Sequence, residues 1–278
     1  MRAGSCFPAS SKLTPKPIAN MKRDLFTLAG KCVIVTGASQ GIGLAVSELV
    51  LELGGNVVAV SRDAEHLEGL AAKAPAGRVL CVPGNVEDPT TATRVVASSI
   101  ERFGAVDGLV NNAGIVRPAL IDKMTHGEWQ EVLDVHLSGS FYFLQAVGQH
   151  MVGRAKTMGP VAGAIINVSS DAGRRGTIGQ INYGAAKSGV LGLTMCAARE
   201  WGRYGVRVNS VCFGVVETQM TEVVRSEKFR ERYRSQIPMA RFSTPEEVAP
   251  TVCFLLSDAS SYTTGQHLSI NGGLHIGF

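Results

Sequence analysis

TGASQGIG, residues 36–43, joins the apolar run CVIVT at 32–36 to a helical pattern that begins at once. Its glycines allow a tight turn and a close approach of the backbone to a pyrophosphate, which the free N–H groups of the helix N-terminus would bind. An ordinary strand-to-helix turn is the alternative, but the position between the first strand and the first helix favours a dinucleotide site. We expect cofactor contacts from Gly37, Ser39, Gln40, Gly41, Ile42 and Gly43.

The rest of the chain alternates short apolar runs with longer amphipathic stretches. The runs contain few charges and are apolar on both faces, as the strands of a buried parallel sheet are. Seven strands are predicted, at 32–36, 56–60, 79–82, 107–112, 164–169, 206–212 and 267–270. Helices are predicted at 43–53, 91–103, 128–151, 183–204 and 245–257. This order predicts an α/β fold, a single-domain Rossmann-type doubly wound parallel sheet with helices on both faces.

The 278 residues divide into an extension and one domain. Residues 1–20 contain three basic residues, three prolines and no acid. That composition is typical of a disordered extension or of an upstream start before Met21, and an organelle transit peptide is the alternative. Residues 21–278 contain no linker-like break and are predicted to form one catalytic domain. Within it, the glycine-containing segment 152–163 is predicted to be a surface loop.

Composition argues against several classes of protein. The net charge is only +4, and the densest basic stretch, 225–234, is interleaved with Glu227 and Glu231, which is typical of a solvated helix and not of a nucleic-acid site. No apolar run approaches the roughly 18–20 residues that a membrane-spanning helix needs. The six cysteines form no CxxC pair. We therefore expect reduced, packed thiols and no metal site, in a cytoplasmic protein.

Tyr183 and Lys187 stand four residues apart in YGAAK, on one face of a predicted helix. An ammonium group beside a phenol favours the phenolate, so we expect Lys187 to lower the pKa of Tyr183 from its usual value of about 10. A tyrosine tuned in that way can donate or accept a proton near neutral pH. An ordinary surface helix is the alternative, because YxxxK alone is common by chance.

Several motifs together resemble those of the short-chain dehydrogenase/reductase family, over nearly all of residues 28–273. The motifs are TGxxxGxG at 36–43, NNAG at 111–114, NVSSDAG at 167–173 and YGAAK at 183–187. The resemblance implies hydride transfer between a nicotinamide cofactor and a carbonyl or secondary alcohol. It assigns proton transfer to Tyr183, orientation of the substrate oxygen to Ser170 rather than Ser169, and the nicotinamide ribose to Lys187. It also implies cofactor contacts from Asn85, Val86, Asn112, Ala113, Gly114, Tyr183, Lys187, Gly214, Val216 and Thr218.

The end of the second predicted strand, VVAVSRD, selects between the two nicotinamide cofactors. An NAD site has a carboxylate there for the ribose 2′-hydroxyl, whereas this chain has Ser61 and Arg62. A guanidinium can hold the 2′-phosphate of NADP(H), and Asp63 comes too late by the family pattern. We therefore expect NADP(H), held by Ser61 and Arg62. A solvated surface arginine is the alternative, and Gln40 stands where many NADPH-using relatives have a second basic residue.

Two positions depart from the family pattern. His136 stands where the family usually has an asparagine that completes a proton relay, mainly through a backbone carbonyl. His136 could titrate near neutral pH and join the relay as a catalytic residue, or it could be a packed histidine without a chemical role, and the sequence leaves both open. Phe213 stands where the family commonly has proline, which could alter the loop over the nicotinamide.

The C-terminal stretches RFSTPEEVA, 241–249, and TGQHLSINGG, 264–273, resemble the 3-oxoacyl-acyl-carrier-protein reductase branch of the family. This implies reduction of a 3-oxoacyl thioester of acyl carrier protein or coenzyme A by a homotetramer. Basic residues available for such a carrier are Arg174, Arg175, Arg203 and Arg207. A free ketone or secondary alcohol is the alternative substrate. An idle NADP-binding sensor or assembly module is the alternative class of function.

Overall fold

The computed structural model describes residues 25–277, so the extension predicted for residues 1–20 lies outside the described residues. The strands are β1 Cys32–Thr36, β2 Asn56–Ser61, β3 Val79–Pro83, β4 Gly108–Asn111, β5 Gly163–Ser170, β6 Val206–Phe213 and β7 His267–Ile270. The sequence predicted every one of them, with ends that differ by no more than one residue.

The strands form one parallel sheet in the order β3-β2-β1-β4-β5-β6-β7. The order reverses between β1 and β4, which makes a crevice at the carboxyl ends of these two strands, the usual place for a ligand in such sheets. The helices are α1 Gly41–Glu52, α2 Ala64–Lys73, α3 Pro89–Phe103, α4 His126–Leu133, α5 Gly139–Met158, α6 Ala172–Arg175, α7 Ile181–Trp201, α8 Glu222–Arg225, α9 Glu227–Arg234 and α10 Pro245–Leu256.

Each face of the sheet carries its own apolar core, because successive strand side chains point to opposite faces. In β1, Val33 and Val35 belong to one core, while Ile34 belongs to the other. The first core is completed by α1, α2 and α10, and the second by α3, α5 and α7. These two layers of helices confirm the predicted doubly wound α/β fold.

The predicted helix 128–151 and the predicted loop 152–163 were both wrong in detail. Residues 126–158 form α4, a π-helical segment Asp134–Ser138 and α5. Helix α5 ends only at Met158, where Gly159 adopts φ +85°. The loop before β5 is therefore residues 159–162. The sequence also missed α2, of which only Leu67 and Leu70 are buried.

No helix within residues 25–277 combines the length and apolarity needed to cross a membrane. The same residues bring together no group of three or more His, Cys, Asp or Glu side chains that could hold a metal ion.

Candidate active site

The glycine-rich loop turns at Gly37 and is braced by the chain after β4. Gly37 has φ +67°, and a Cβ there would lie 3.0 Å from the Cα of Ala113. Asn112 donates its side-chain Nδ2 to the carbonyl oxygens of Thr36, at 3.0 Å, and Gly37, at 3.2 Å. Thr36 in turn accepts from the backbone N–H groups of Asn112 and Ala113. The NNAG segment thus holds the loop as well as lining the crevice.

Helix α1 begins at Gly41, and the side chain of its N-cap residue, Gln40, makes no capping hydrogen bond. The N–H groups of the first helical turn are therefore free to bind an anion. A Cβ at Gly41 would lie 3.1 Å from Cγ2 of Thr218, so a side chain would fill the space between them. Both observations fit the pyrophosphate of a dinucleotide.

A cavity of about 270 Å³ opens at the carboxyl ends of β1 and β4. The predicted residues that line it are Gly37, Ser39, Gln40, Gly41, Ile42, Ser61, Arg62, Asn85, Val86, Asn112, Ala113, Gly114, His136, Ser170, Tyr183, Lys187, Gly214, Val216 and Thr218. Gly43 is not among them. A Cβ at Gly43 would lie 2.1 Å from the carbonyl oxygen of Gly37, so this glycine lets α1 pack on the loop instead of contacting a ligand.

One end of the cavity carries hydroxyl groups and a guanidinium. Ser61 donates its hydroxyl to that of Ser39 at 2.9 Å, and the exposed Arg62 follows Ser61 at the end of β2. Asp63 is occupied elsewhere, because it accepts from the backbone N–H of His66 at 3.1 Å and pairs with the His66 ring at 2.7 Å. This end therefore offers groups suited to a phosphate, while the nearest carboxylate caps α2.

Ser169 and Ser170 have different surroundings at the end of β5. Ser169 is buried and donates its hydroxyl to the carbonyl oxygen of Lys187 at 2.8 Å. The Ser170 hydroxyl accepts from the N–H of Ala172 at 3.2 Å and hydrogen-bonds to the phenol of Tyr183. The geometry therefore agrees with the choice of Ser170 over Ser169.

Tyr183 and Lys187 lie on one face of α7, as predicted. Burial raises the pKa of Tyr183 above its ordinary value, and the hydrogen bond from Ser170 opposes the rise without cancelling it. Lys187 donates its ammonium to the carbonyl oxygen of Val168 at 2.7 Å, and burial lowers the pKa of Lys187 to about 7. The expected lowering of the tyrosine pKa is therefore wrong in this structure, because burial of the phenol raises its pKa instead.

Comparisons with known proteins agree with this arrangement. Residues 37–275 match the family model described as enoyl-(acyl carrier protein) reductase. A 3-oxoacyl-acyl-carrier-protein reductase FabG of Thermotoga maritima is 42% identical over 90% of this chain and 99% of its own length. An acetoacetyl-CoA reductase of Synechocystis is 40% identical over 89% of this chain and 98% of its own length.

The crystal structure of a short-chain type dehydrogenase/reductase from Mycobacterium marinum has a TM-score of 0.85 with this chain, at 31% identity, and covers 91% of this chain and 99% of its own. The chain belongs to the short-chain dehydrogenase/reductase family. It is accordingly an oxidoreductase, and the hydride chemistry belongs to a nicotinamide cofactor.

The departure from the family pattern at His136 has a structural explanation. The ring is 1% exposed, within the π-helical segment, and its Nε2 contacts the backbone of Ile115. Burial, aided by the charge of Lys187, holds the pKa of His136 well below its ordinary value. The ring packs edge-on against Tyr183, with the ring centres 5.1 Å apart. These contacts favour a neutral packed histidine over a group that titrates near neutral pH.

In this chain the His136 ring also occupies the space beside Gly114 of the NNAG motif. A Cβ at Gly114 would lie 2.3 Å from Cε1 of His136, so no other residue fits without moving the ring. The second departure, Phe213, is 4% exposed and ends β6, where it lines the cavity. Phe213 pairs in register with Ser170 at the end of β5, so β6 continues as far as the residue that faces the catalytic serine.

The cavity wall also includes residues that the sequence did not single out, among them Val60, Gly84, Ile115, Val135, Val168, Gln219 and Thr221. The segment Gln219–Thr221 is a short 3-10 turn closed by Thr221, whose hydroxyl donates to the carbonyl oxygen of Val216 at 2.5 Å. A capping box between Thr218 and Thr221 was the one local signal that pointed to this turn.

Two of the four arginines considered for carrier binding have other partners. Arg207 is partly buried and donates to the carbonyl oxygens of Leu255 and Ser257, so it holds the end of α10. Arg174 donates to Ser269 at 2.7 Å and to the carbonyl oxygen of Gly277 at 3.0 Å. Both side chains therefore have structural partners within the chain, and their role in docking a carrier stays a prediction.

Proposed function

We propose that this protein reduces the 3-oxo group of an acyl thioester to the 3-hydroxy group, with NADPH as the reductant. The observation that carries the proposal is that Ser170, Tyr183 and Lys187 lie together in the wall of the cavity that the glycine-rich loop also lines, with the Lys187 ammonium 5.6 Å from the centre of the Tyr183 ring. The names of the two curated relatives, a 3-oxoacyl reductase and an acetoacetyl-CoA reductase, support the thioester class.

The phenol of Tyr183 can act as the acid in the reductive direction, because its pKa lies above neutral pH. A phenol that keeps its proton at neutral pH is suited to give it to the oxygen of a carbonyl group as negative charge develops there. Ser170 would donate its hydroxyl to the same oxygen and orient the carbonyl carbon toward the cofactor. The nicotinamide, when bound, supplies the hydride.

Lys187 has two roles in the proposal. Its backbone carbonyl oxygen accepts from Ser169 and its ammonium donates to the carbonyl oxygen of Val168, so β5 and α7 are joined at the two residues that precede Ser170. With a pKa of about 7, its ammonium can give a proton to Tyr183 after the phenol has lost its own. The nicotinamide ribose would lie against the same group, as the family resemblance implies.

The NADPH preference rests on Ser39, Ser61 and Arg62. Two hydroxyls and a guanidinium can bind a 2′-phosphate by charge-assisted hydrogen bonds, and the carboxylate of Asp63 is bonded to the backbone N–H and the ring of His66. Asn85 donates its side-chain amide to Glu87 at 2.6 Å, which orients it beside Val86 in the part of the cavity assigned to the adenine.

The proposal extends to a cytoplasmic homotetramer that accepts substrates on acyl carrier protein or coenzyme A. Helices α5 and α7 carry the exposed apolar side chains Phe141, 42% exposed, and Met195, 47% exposed, as subunit contacts through these helices would require. Arg175 and Arg203 remain candidates for the carrier. Light scattering after gel filtration tests the assembly.

The test of function is to follow the absorbance of NADPH, and separately NADH, with acetoacetyl-CoA, crotonyl-CoA and a panel of free ketones. The proposal expects NADPH consumption with acetoacetyl-CoA. Turnover of crotonyl-CoA alone would instead indicate an enoyl reductase, as the family model's description suggests. Turnover of free ketones alone would exclude acyl thioesters as the substrate class. Tight NADPH binding with no turnover would support the idle module.

A further inference from the structure

Asp171 is a buried acid that the proposed chemistry does not use. It follows Ser170 directly and is 3% exposed. Its backbone N–H donates to the carbonyl oxygen of Phe213 at 3.1 Å, so it also touches the end of β6. A buried carboxylate needs partners, and those of Asp171 come from the C-terminal end of the chain.

Asn271 is the main partner. Its side-chain Nδ2 donates to Oδ2 of Asp171 at 2.8 Å and to the carbonyl oxygen of His275 at 3.1 Å. Its Oδ1 accepts from the N–H of Gly273 at 3.0 Å, and its carbonyl oxygen accepts from the N–H of Leu274. One amide group therefore closes residues 271–275 into a turn, which we call the C-terminal turn, and ties that turn to Asp171.

The C-terminal turn also contacts the loop after β6. The N–H of Gly214 donates to the carbonyl oxygen of Ile270 at 3.2 Å, and a Cβ at Gly214 would lie 2.9 Å from the Cα of Asn271. Gly214 lines the cavity next to Phe213. A displacement of Asn271 would therefore shift two parts of the cavity wall. It would act on Ser170 through the neighbouring Asp171, and it would act directly on Gly214.

Arg174 holds the chain on both sides of the turn, through its bonds to Ser269 in β7 and to the carbonyl oxygen of Gly277. The charged groups that face the Asp171 carboxylate are His275 from the turn and Arg175 and Arg174 from α6. Oδ1 of Asp171 and Nε2 of His275 are both buried and have no hydrogen-bond partner among the described residues. The carboxylate therefore acts on the turn mainly through its bond to Asn271.

We propose that Asp171 is a positioning residue for the reduction, which through Asn271 fixes the C-terminal turn against the loops that bear Ser170 and Gly214. The inference rests on the proposed function of that site. It explains why a buried acid follows Ser170, and it gives the last residues of the chain a part in aligning the substrate oxygen.

Two substitutions separate the hydrogen bond from the charge. Asp171→Ala removes the acceptor for Asn271, whereas Asp171→Asn keeps an acceptor oxygen of the same reach and removes the charge. We expect kcat to fall about tenfold or more in Asp171→Ala, since a misplacement of about 1 Å can cost that much. We expect Asp171→Asn to recover kcat to within about threefold of wild type, with the affinity for NADPH unchanged within about threefold in both variants.

A double-mutant cycle tests whether Asp171 acts through Asn271. The cycle comprises Asp171→Ala, Asn271→Ala and the double variant, each measured for kcat and for NADPH affinity by fluorescence. If the two residues act as one unit, the double variant loses no more kcat than the more damaged single variant. Additive losses, a kcat for Asp171→Ala within twofold of wild type, or a kcat for Asp171→Asn as low as that of Asp171→Ala would overturn the proposal.

Amide hydrogen exchange gives a readout that needs no substrate. The N–H groups of Gly273 and Leu274 are bonded within the turn, so Asp171→Ala should speed exchange in a peptide covering residues 271–277 while Asp171→Asn should not. Unchanged exchange in Asp171→Ala would contradict the role of Asp171 whatever substrate the enzyme uses. The wild type could fail to reduce acetoacetyl-CoA although the turn loosens in Asp171→Ala as expected. The proposed function would then be wrong, while the structural role of the Asp171–Asn271 hydrogen bond would hold. In that case kcat is measured with the ketone that the wild type does reduce.

Discussion

The Nε2 atom of His136 lies 3.0 Å from the amide nitrogen and 2.7 Å from the carbonyl oxygen of Ile115. Nε2 can accept from the first or donate to the second, and it cannot do both in one tautomer. Nδ1 has no partner among the described residues. Each tautomer therefore leaves polar groups in this buried region without a partner, and each such group costs about 1–3 kcal/mol.

His136→Asn should raise the free energy of unfolding. An asparagine amide can accept from the N–H of Ile115 and donate to its carbonyl oxygen at the same time, which offsets the smaller volume of the side chain. We expect a gain of about 1 kcal/mol at pH 7, measured by urea denaturation. His136→Ala, which restores neither bond, should be less stable than wild type. A less stable asparagine variant would show that the ring's packing matters more than its unpaired groups.

The pH dependence of stability should reveal that His136 is neutral. Its pKa lies well below 6.5 in the native protein because of burial. Below pH 6.5 the unfolded chain then binds a proton that the native chain does not, so the stability due to this group is present above pH 6.5 and is lost as the pH falls. Wild type should lose up to about 1.4 kcal/mol per pH unit more than His136→Asn between pH 6.5 and 5. Parallel stability curves for wild type and His136→Asn would mean that the native ring takes up a proton over this pH range as the unfolded chain does. That result would support a role for His136 in a proton relay.

Arg62→Ala should weaken the binding of NADPH much more than the binding of NADH. Loss of a charge-assisted bond to the 2′-phosphate is worth about 1.5–3 kcal/mol, so KM for NADPH should rise about 10- to 100-fold while KM for NADH changes little. Lys73→Ala, at the far end of α2, removes the same charge as a control. Equal effects on the two cofactors would make Arg62 a solvated surface residue.

Ser169 and Ser170 form a matched pair of neighbouring hydroxyls. Ser170→Ala should lower kcat by about 10²–10³, the usual effect of removing one donor to a developing oxyanion. Ser169→Ala removes a buried hydrogen bond to the backbone of Lys187, so we expect about 1 kcal/mol less stability and a much smaller effect on kcat. Steady-state kinetics and thermal denaturation of both variants check this. Similar kcat values for the two would contradict the assignment of Ser170.

The sequence predicted the strands and the residues around the cavity well, because both follow from local patterns. Runs such as CVIVT are apolar on both faces only in a buried parallel strand, and Gly37 and Gly41 are needed wherever the backbone approaches a ligand. Asp63, which the family pattern places too late for a ribose contact, is the N-cap of α2, a role that the sequence did not predict.

Other features depend on contacts between distant parts of the chain. Gly43 belongs to the glycine motif, and only the fold shows that a side chain there would collide with the carbonyl oxygen of Gly37. The sequence offered Arg174 as a charge available to a carrier, whereas in the structure its guanidinium donates to the carbonyl oxygen of Gly277, 103 residues further along the chain. The pKa of Tyr183 depends on how deeply the chain buries it, and a spacing of four residues from Lys187 contains no information on burial.

The most direct test of the account is turnover and cofactor binding in Tyr183→Phe. The substitution removes only the phenolic hydroxyl, which the account makes the proton donor. We expect acetoacetyl-CoA reduction to fall by about 10²–10⁴ or more, with the affinity for NADPH within about threefold of wild type by fluorescence titration. Turnover near that of wild type, with the cofactor bound normally, would contradict the assignment of Tyr183 and with it the proposed mechanism.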